Sequence, residues 1–223
     1  TEDYKPKFKV AINNTEYING ATYPTFVGEN VDDSESLQVV VSAESNNVAN
    51  ALAEWTKVCN APFAFDYGAK TETPYANATL TYNPTTAGLH SGSVAITATY
   101  TDGSGTPVDS TITIYLNGEA NRKPNPLNFA PFPQPIYTTT PAFELIDAET
   151  NLSGADIDVT PKTGVVEITG TGKLDDPYIV TPKSVGAVTI TATQKESRVY
   201  DEKEIFTTIS IVSSISPVPF CVS

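Results

Sequence analysis

Side chains able to carry out chemistry are few in this sequence. The 223 residues include one histidine, His90, and two cysteines, Cys59 and Cys221. His90 follows Gly88 and Leu89 in a predicted hairpin loop, and as a catalytic base it would need a nucleophile and an orienting carboxylate. No Gly-x-Ser-x-Gly elbow supplies that nucleophile. The sequence therefore favours an exposed loop histidine and predicts no catalytic residue.

The two cysteines are not spaced as metal ligands. Neither belongs to a Cys-x-x-Cys pair, and His90 is the one imidazole in the chain, so a zinc site is effectively excluded. A disulfide between Cys59 and Cys221 stays open, but the domain boundary predicted below would place them in different domains. We therefore favour two free thiols, with Cys59 as a small hydrophobic core residue.

Carboxylates are abundant, and three short stretches bring several of them together. These stretches are Asp32-Asp33-Ser34-Glu35, Asp156-Ile157-Asp158 and Asp175-Asp176. None has the spacing of an EF-hand calcium loop, and sequence alone selects no carboxylate pair for glycoside hydrolysis. We predict solvated loop carboxylates and no cofactor, with structural calcium as the less favoured alternative.

Tyrosines flank two predicted loops. Tyr67 and Tyr75 lie on either side of one loop, and Tyr100 and Tyr115 lie on either side of the hairpin at residues 102–109. Aromatic rings beside loops could stack on the apolar face of a sugar. Tyrosines at strand ends that cap a core explain the same pattern, and we favour that interpretation. The residues of a ligand-binding surface stay unassigned.

Charge and hydropathy exclude two classes of partner. The chain holds 13 Lys and Arg against 26 Asp and Glu, a net charge of −13, with a sequence pI of about 4.3. Nucleic-acid binding needs clustered basic residues, and an anionic membrane surface would repel this charge. No apolar run approaches the roughly 20 residues that span a bilayer. We predict a soluble protein without nucleic-acid binding or membrane insertion.

Strand patterns dominate the chain. Thr alone contributes 31 residues, and Val, Ile and Tyr are plentiful; these side chains favour pleated, half-buried strands. Alternating segments recur between turn signals such as Asn83-Pro84 and Asp175-Asp176-Pro177. These segments are residues 37–43, 78–82, 94–100, 111–116, 165–168, 187–192 and 205–211. Many short strands without intervening helices predict an all-β sandwich or barrel.

One segment, residues 47–58, has a different period. Its apolar side chains recur every three or four residues, a spacing that makes one face of a helix apolar. They are Val48, Ala51, Leu52, Trp55 and Val58. Asn46 or Asn47 could cap the N-terminus. We predict a short helix on the edge of the first sandwich.

A proline-rich tract divides the chain. Strand patterning stops at Asn121-Arg122-Lys123-Pro124-Asn125-Pro126, and three further prolines follow within residues 131–135. Prolines remove backbone donors and suit linkers and edge strands. We therefore predict two domains in tandem, residues 1–121 and 122–223.

Part of the first domain resembles the hydin-like immunoglobulin domains. In that family a strand ends in an aromatic-x-Pro turn, here Tyr82-Asn83-Pro84, and a glycine, here Gly88, leads into the next strand. The closing Leu-x-Gly-x-Ala pattern appears as Leu116-Asn117-Gly118-Glu119-Ala120. The x-Pro turn ends a strand, and the glycine lets the chain reverse. The resemblance covers roughly the second half of this domain, departs from the family over residues 47–60, and implies an immunoglobulin-like β-sandwich.

The second domain resembles the bacterial immunoglobulin-like repeats. Residues 185–194, followed by Tyr200, are similar to the Gly-x-x-x-Ile-Thr-Ala signature of that family, and residues 204–212 match its long final strand. The match covers about 40 residues. Paired modules of these two kinds are typical of secreted or surface-anchored proteins of Bacteroides-type bacteria, often described as adhesins. The resemblance thus implies a second immunoglobulin-like β-sandwich and an exported protein.

These observations favour a non-catalytic cell-surface or secreted protein that serves adhesion or display. Its expected partner is a host or bacterial surface glycan or protein. Two alternatives stay open, a carbohydrate-binding accessory module of a glycan-uptake system and a passive spacer for a further domain. The chain opens Thr1-Glu2-Asp3-Tyr4, without a basic segment followed by an apolar one. We therefore expect a mature or truncated form whose targeting segment is not in this sequence.

Overall fold

A computed structural model of the chain describes residues 8–43, 52–67, 78–101 and 104–214. The chain divides into two compact units, unit 1 (Thr1–Arg122) and unit 2 (Lys123–Ser223). The described residues form strands throughout, together with one short 3₁₀ turn at Ala148–Thr150 in unit 2. The prediction of an all-β chain is confirmed.

Unit 1 is a sandwich of two sheets. Its strands are β1 (Phe8–Ile12), β2 (Thr15–Tyr17), β3 (Phe26–Asn30), β4 (Glu35–Ala43), β5 (Leu52–Cys59), β6 (Phe63–Tyr67), β7 (Ala78–Tyr82), β8 (Gly88–Thr101) and β9 (Pro107–Asn121). One sheet has the order β2-β1-β4-β7-β6 and the other the order β3-β9-β8-β5. Their inner faces share a single hydrophobic core. All pairs are antiparallel except β3 with β9, which is parallel.

Unit 2 is a smaller sandwich of four and three strands. Its strands are β10 (Ile136–Tyr137), β11 (Phe143–Glu144), β12 (Ile157–Thr160), β13 (Val166–Thr169), β14 (Ile179–Pro182), β15 (Gly186–Gln194) and β16 (Lys203–Val212). The sheets have the orders β10-β16-β15-β12 and β11-β14-β13, and they enclose a second core. Each unit is thus an immunoglobulin-like β-sandwich.

The abundance of threonine follows from this architecture. Strands with one wet face need β-branched side chains that also tolerate water, and Thr meets both requirements. Hydroxyl groups on directly opposed residues of neighbouring strands are hydrogen-bonded in both units. The pairs are Ser36–Thr81 at 3.0 Å, Thr97–Thr111 at 2.8 Å and Thr189–Thr208 at 3.0 Å.

The helix predicted over residues 47–58 is wrong where the structure describes that segment. Leu52–Cys59 is strand β5, which pairs antiparallel with β8 from Leu52 opposite Tyr100 to Cys59 opposite Val94; residues 47–51 lie outside the described part of the chain. The reason is that pairing with a long neighbouring strand overrides a short local period. Val58, one of the apolar residues in the helical pattern above, is exposed.

Lys57 connects strands β5 and β6, which lie at one side of unit 1. It lies in β5, opposite the buried Ile96, and its ammonium group donates to the carbonyl of Phe65 in β6. The Nζ atom is also 3.4 Å from Oδ1 of Asp66. An inward-pointing charge on an edge strand disfavours pairing with another chain, so Lys57 protects this edge while it joins the two sheets.

Aromatic rings fill one end of the core of unit 1 and require glycine opposite them. Phe63 and Tyr82 stack with ring centroids 5.1 Å apart. A Cβ atom on Gly92 would lie 2.7 Å from the ring of Phe63, and one on Gly118 would overlap the ring of Tyr82. The glycine of the Leu-x-Gly-x-Ala pattern therefore makes room for the tyrosine of the aromatic-x-Pro turn.

Replacing Gly118 by Ala should lower the free energy of unfolding of unit 1 by about 1–3 kcal/mol, because the added methyl group overpacks against Tyr82. A strand glycine replaced by Ala without a clash should instead add roughly 0.5–1 kcal/mol. Urea unfolding followed by the fluorescence of Trp55, the single tryptophan and a unit 1 residue, measures the change. The exposed neighbour supplies the control, Glu119→Ala, and equal midpoints for the two variants would contradict the packing argument.

Unit 2 contains a buried network of amides. Gln194 is fully buried and donates from Nε2 to Oδ1 of Asn151 at 2.7 Å and to the carbonyl of Ala155 at 3.0 Å. Its Oε1 accepts from Nδ2 of Asn125 at 2.9 Å, and Asn125 also donates to the carbonyl of Asp201. No buried side-chain nitrogen or oxygen in the described residues lacks a partner. The network therefore joins the first residues of unit 2 to the end of β15 and to the loop after the 3₁₀ turn.

Gln194→Met should destabilise unit 2 by about 1–3 kcal/mol, because it removes three hydrogen bonds inside a region closed to water. The exposed Gln134 provides a control with the same chemical change, Gln134→Met. Unfolding followed by far-ultraviolet circular dichroism should show the loss, whereas the Trp55 transition of unit 1 should not move. A Gln194→Met protein as stable as Gln134→Met would show that the network contributes nothing.

Candidate functional site

His90 lies in a strand, so the prediction of an exposed loop histidine is wrong. It is half-buried in β8 opposite Gly118. Its Nδ1 atom is 2.8 Å from the hydroxyl of Tyr82, and its Nε2 atom is 3.0 Å from Oγ1 of Thr86. The alternating sequence pattern began at Val94, but strand β8 begins at Gly88. The reason is that β9 pairs with β8 up to the contact of Gly88 with Ala120.

The surroundings of His90 suit a structural role. Each ring nitrogen of His90 has a hydroxyl group as its hydrogen-bond partner, and a hydroxyl group can donate or accept. Burial, with smaller contributions from Glu29 and Glu119, raises the pKa of Tyr82, so its phenol stays protonated. The histidine joins the end of β7, the following loop and the start of β8. Neither hydrogen-bond partner of its ring is the carboxylate that a catalytic triad would need.

The three acidic stretches do not converge on a cation. In the first, Oδ2 of Asp33 accepts from Nδ2 of Asn30 at 3.1 Å within the turn between β3 and β4. In the second, Oδ1 of Asp156 lies 3.0 Å from Nζ of Lys173, and this contact raises the pKa of the lysine. The third lies in the turn between β13 and β14, which the backbone bond from Asp176 to Lys173 closes. Within the ranges the structure describes, no group of three His, Cys, Asp or Glu residues could hold a metal ion.

Tertiary structure does assemble one acidic groove that the sequence did not indicate. Strand β12 and the facing ends of β15 and β16 line an open groove of about 590 Å³ with four carboxylates. They belong to Asp156, Asp158, Glu202 and Glu204. Lys195 pairs with Glu202 at 3.0 Å, and Thr193 donates to Glu204 at 3.3 Å. Three of the four carboxylates thus have a polar partner, counting the pair of Asp156 with Lys173, which does not line the groove.

The tyrosines separate into two environments. Tyr115 is 52% exposed on β9, so the prediction that it caps the core is wrong. The side chains of Tyr67, Tyr75 and Tyr100 lie outside the described part of the structure. Other rings form a continuous chain of contacts in unit 1, with centroids 5.1–5.8 Å apart. These rings belong to Tyr17, Tyr23, Phe26, Phe63 and Tyr82.

The outer face of the β3-β9-β8-β5 sheet carries the clearest candidate for a binding surface. Four large hydrophobic side chains are strongly exposed there: Val27, Val58, Leu89 and Tyr115. We call this surface the apolar face. On the other sheet of unit 1, the outward positions are small, polar or charged, apart from the half-buried Val40. None of the described side chains within its strands is a strongly exposed large hydrophobic, although Ile18, the residue after β2, is 73% exposed.

A local signal for the apolar face was present but was not recognised. Ile114, Tyr115 and Leu116 are three consecutive apolar residues in a strand, and a strand with one wet face should alternate. The middle residue of such a run has to point outward. For Val58 and Leu89 no such signal existed, because their direction depends on pairing with β8 and β9.

Cys59 is a free, half-buried cysteine at the end of β5, and it packs against the core of unit 1. Burial raises the pKa of its thiol, although a hydrogen bond from the backbone of Asn60 and the charge of Lys57 act in the opposite direction. Cys221 lies outside the described residues.

The fold is a tandem pair of immunoglobulin-like β-sandwiches. No protein-family model matches the chain, and no curated protein matches it. Among solved structures it is similar to protocadherin gammaB7 (EC3-6 cis-dimer structure), with 11% identity over 94% of this chain and 48% of that chain and a TM-score of 0.32. The human desmocollin-1 ectodomain has 12% identity, 96% and 43% coverage and a TM-score of 0.34. The S-layer protein SbsC, domains 5–6, has 13% identity, 94% and 99% coverage and a TM-score of 0.29.

The chain spans about half the length of the protocadherin and desmocollin structures. The three likenesses are too distant to bear on function, so the architecture rests on the strand order and the two cores given above. In the part of the chain that the structure describes, no helix is long and apolar enough to cross a membrane.

The thiol of Cys59 should react with a disulfide reagent at a higher pH in the folded than in the unfolded protein. In a Cys221→Ser variant Cys59 is the single thiol, and its burial disfavours the reactive thiolate. The rate, measured from pH 7 to 10, should reach half its maximum above the midpoint found in denaturant, which is expected near pH 8.5. The raised pKa of Cys59 also affects stability. The free energy of unfolding should fall as the pH rises from the pKa of this thiol in the unfolded chain through its higher pKa in the folded protein. A folded midpoint at or below the denatured one would contradict burial of this thiol.

Proposed function

We propose that this chain is a non-catalytic module of a secreted or cell-surface protein, serving adhesion or display. The observation that carries the proposal is the apolar face. It concentrates exposed hydrophobic side chains on one sheet of unit 1, while the opposite sheet is polar. Large apolar side chains that project from one sheet face are available for contact with the surface of a partner protein.

The arrangement of the reactive groups supports a role without catalysis. The imidazole of His90 is engaged by two hydroxyl groups, and the thiol of Cys59 is packed into the core. A stable sandwich with a free outer face needs no further chemistry to bind a partner.

The resemblances in the sequence support the proposed origin and place. We assign residues 1–121 to a hydin-like immunoglobulin domain and residues 122–223 to a bacterial immunoglobulin-like domain. On this assignment the chain belongs to an exported protein of a Bacteroides-type bacterium. The charge of −13 suits an exposed module, because like charges keep such modules apart in solution.

The carbohydrate-binding alternative needs several coplanar exposed aromatic rings. In the described residues the strongly exposed aromatic side chains are Tyr115 in unit 1 and Phe206 in unit 2. One ring in each unit does not form such a platform, so we favour adhesion to a protein surface.

The full chain should bind saturably to at least one component of an array of host glycans, mucins and matrix proteins. Binding should be equal with calcium and with chelator, since the described acidic stretches do not converge on a cation. An unrelated β-sandwich protein of similar net charge is the control for charge alone. Absence of binding at high protein concentration would favour a passive spacer. Hydrolysis of any polysaccharide in the array would overturn the non-catalytic assignment.

A further inference from the structure

We propose that the apolar face docks a protein surface in which apolar side chains are accompanied by lysine and arginine. This inference rests on the proposed function and specifies the partner of the same surface. Its three supports are the position of the exposed hydrophobic residues, the sign of the charges around them and the rigidity of Tyr115.

Three of the four exposed hydrophobic residues, Val58, Leu89 and Tyr115, follow from the register of β5, β8 and β9. Inward positions of β8 and β9 hold the buried Val94, Ile96, Ile114 and Leu116, so the intervening residues point outward. Leu89 is 81% exposed, Val58 63% and Tyr115 52%. Between them the outward positions carry small side chains. These are Ser91, Ser93, Ala95 and Thr113, together with the polar Asn117, and the three large residues project beyond them toward a partner.

The charges on this face have one sign. Asp109 and Glu119 are exposed at outward positions of β9. At the outward positions of β8 and β9 whose side chains the structure describes, no Lys or Arg occurs. Lys57 lies in β5, but its ammonium group is bound to β6. A partner with positive charge is therefore complementary to the face, and a second copy of this acidic chain is repelled.

Tyr115 is held in place on both sides. Its strand neighbour is Ser93 in β8, and on the other side its backbone N–H donates to the carbonyl of Ala21 at 2.8 Å. Its carbonyl accepts from the N–H of Tyr23 at 2.9 Å. A tyrosine on an ordered backbone loses little entropy when it is buried by a partner, and tyrosine is enriched among the residues that dominate binding energy. Tyr115 is accordingly the expected anchor of the interface.

The test uses two variants with the same change of charge. The face variant carries Leu89→Lys and Tyr115→Lys, and the control variant carries Gln38→Lys and Thr79→Lys, two exposed positions on the other sheet. A phage library of random 15-residue peptides is selected on the immobilised full chain and depleted on the face variant. Trp55 fluorescence and circular dichroism verify that both variants are folded. A further variant, Leu89→Ser with Tyr115→Ser, removes the apolar side chains without adding charge.

Selected peptides should be enriched in Lys or Arg and in apolar residues. When synthesised, they should bind the face variant and the serine variant at least tenfold more weakly than the parent, bind the control variant within twofold, and lose affinity as salt is raised. No selected peptide, no excess of basic residues, or equal losses in the face and control variants would overturn the inference. Dimerisation in sedimentation that the face variant abolishes would also overturn it, because the occupant would then be a second copy.

The outcome is separable from that of the proposed function. Binding to the array that the face variant retains would leave adhesion intact and place it elsewhere on the molecule. Failure of both experiments would remove the adhesive function itself.

Discussion

The long antiparallel pair of β8 and β9 determines most of unit 1. It runs from Gly88 opposite Ala120 to Thr101 opposite Pro107. Because side chains of a strand alternate with a period of two, this register places the even-numbered residues of β8 from His90 to Ala98 toward the core and the odd-numbered ones from Leu89 to Thr99 toward solvent. A slip of one residue would exchange the two sets. The core and the apolar face are thus two consequences of one pairing.

That register requires glycine at two positions. Only with Gly118 beneath Tyr82 and Gly92 beneath Phe63 do the stacked rings fit between the sheets. His90, on the same inward side, completes the end of the core through the hydroxyl of Tyr82. In unit 2 the strand arrangement is instead fixed by polar groups. Its buried amides form hydrogen bonds to one another and to backbone carbonyls. In both units specificity comes from contacts that tolerate one arrangement of strands.

The residues with reactive side chains are poor guides to function in this protein. The histidine and the half-buried thiol pack in or against the core of unit 1, and the paired carboxylates lie apart on the surface. What distinguishes one surface from another is the distribution of ordinary hydrophobic residues, with Leu89 and Tyr115 on one sheet of unit 1 and polar residues on the other. A sheet face is well suited to such a role, since its backbone is already hydrogen-bonded on both sides and only side chains meet the partner.

The sequence by itself determined part of the strand set, because alternation is a local property that residues 78–82 or 187–192 carry without their neighbours. The seven alternating segments correspond to β4, β7, β8, β9, β13, β15 and β16. The family resemblance also included Gly118, and the structure then showed that this glycine faces Tyr82. Tertiary structure alone decided the rest. Residues 52–58 looked helical until β8 supplied a strand to pair with, and His90 looked exposed until β9 extended past it. The direction of Val58 and Leu89 was likewise settled by partners distant in sequence, because which face of a strand is buried depends on the strand beside it and the sheet above it.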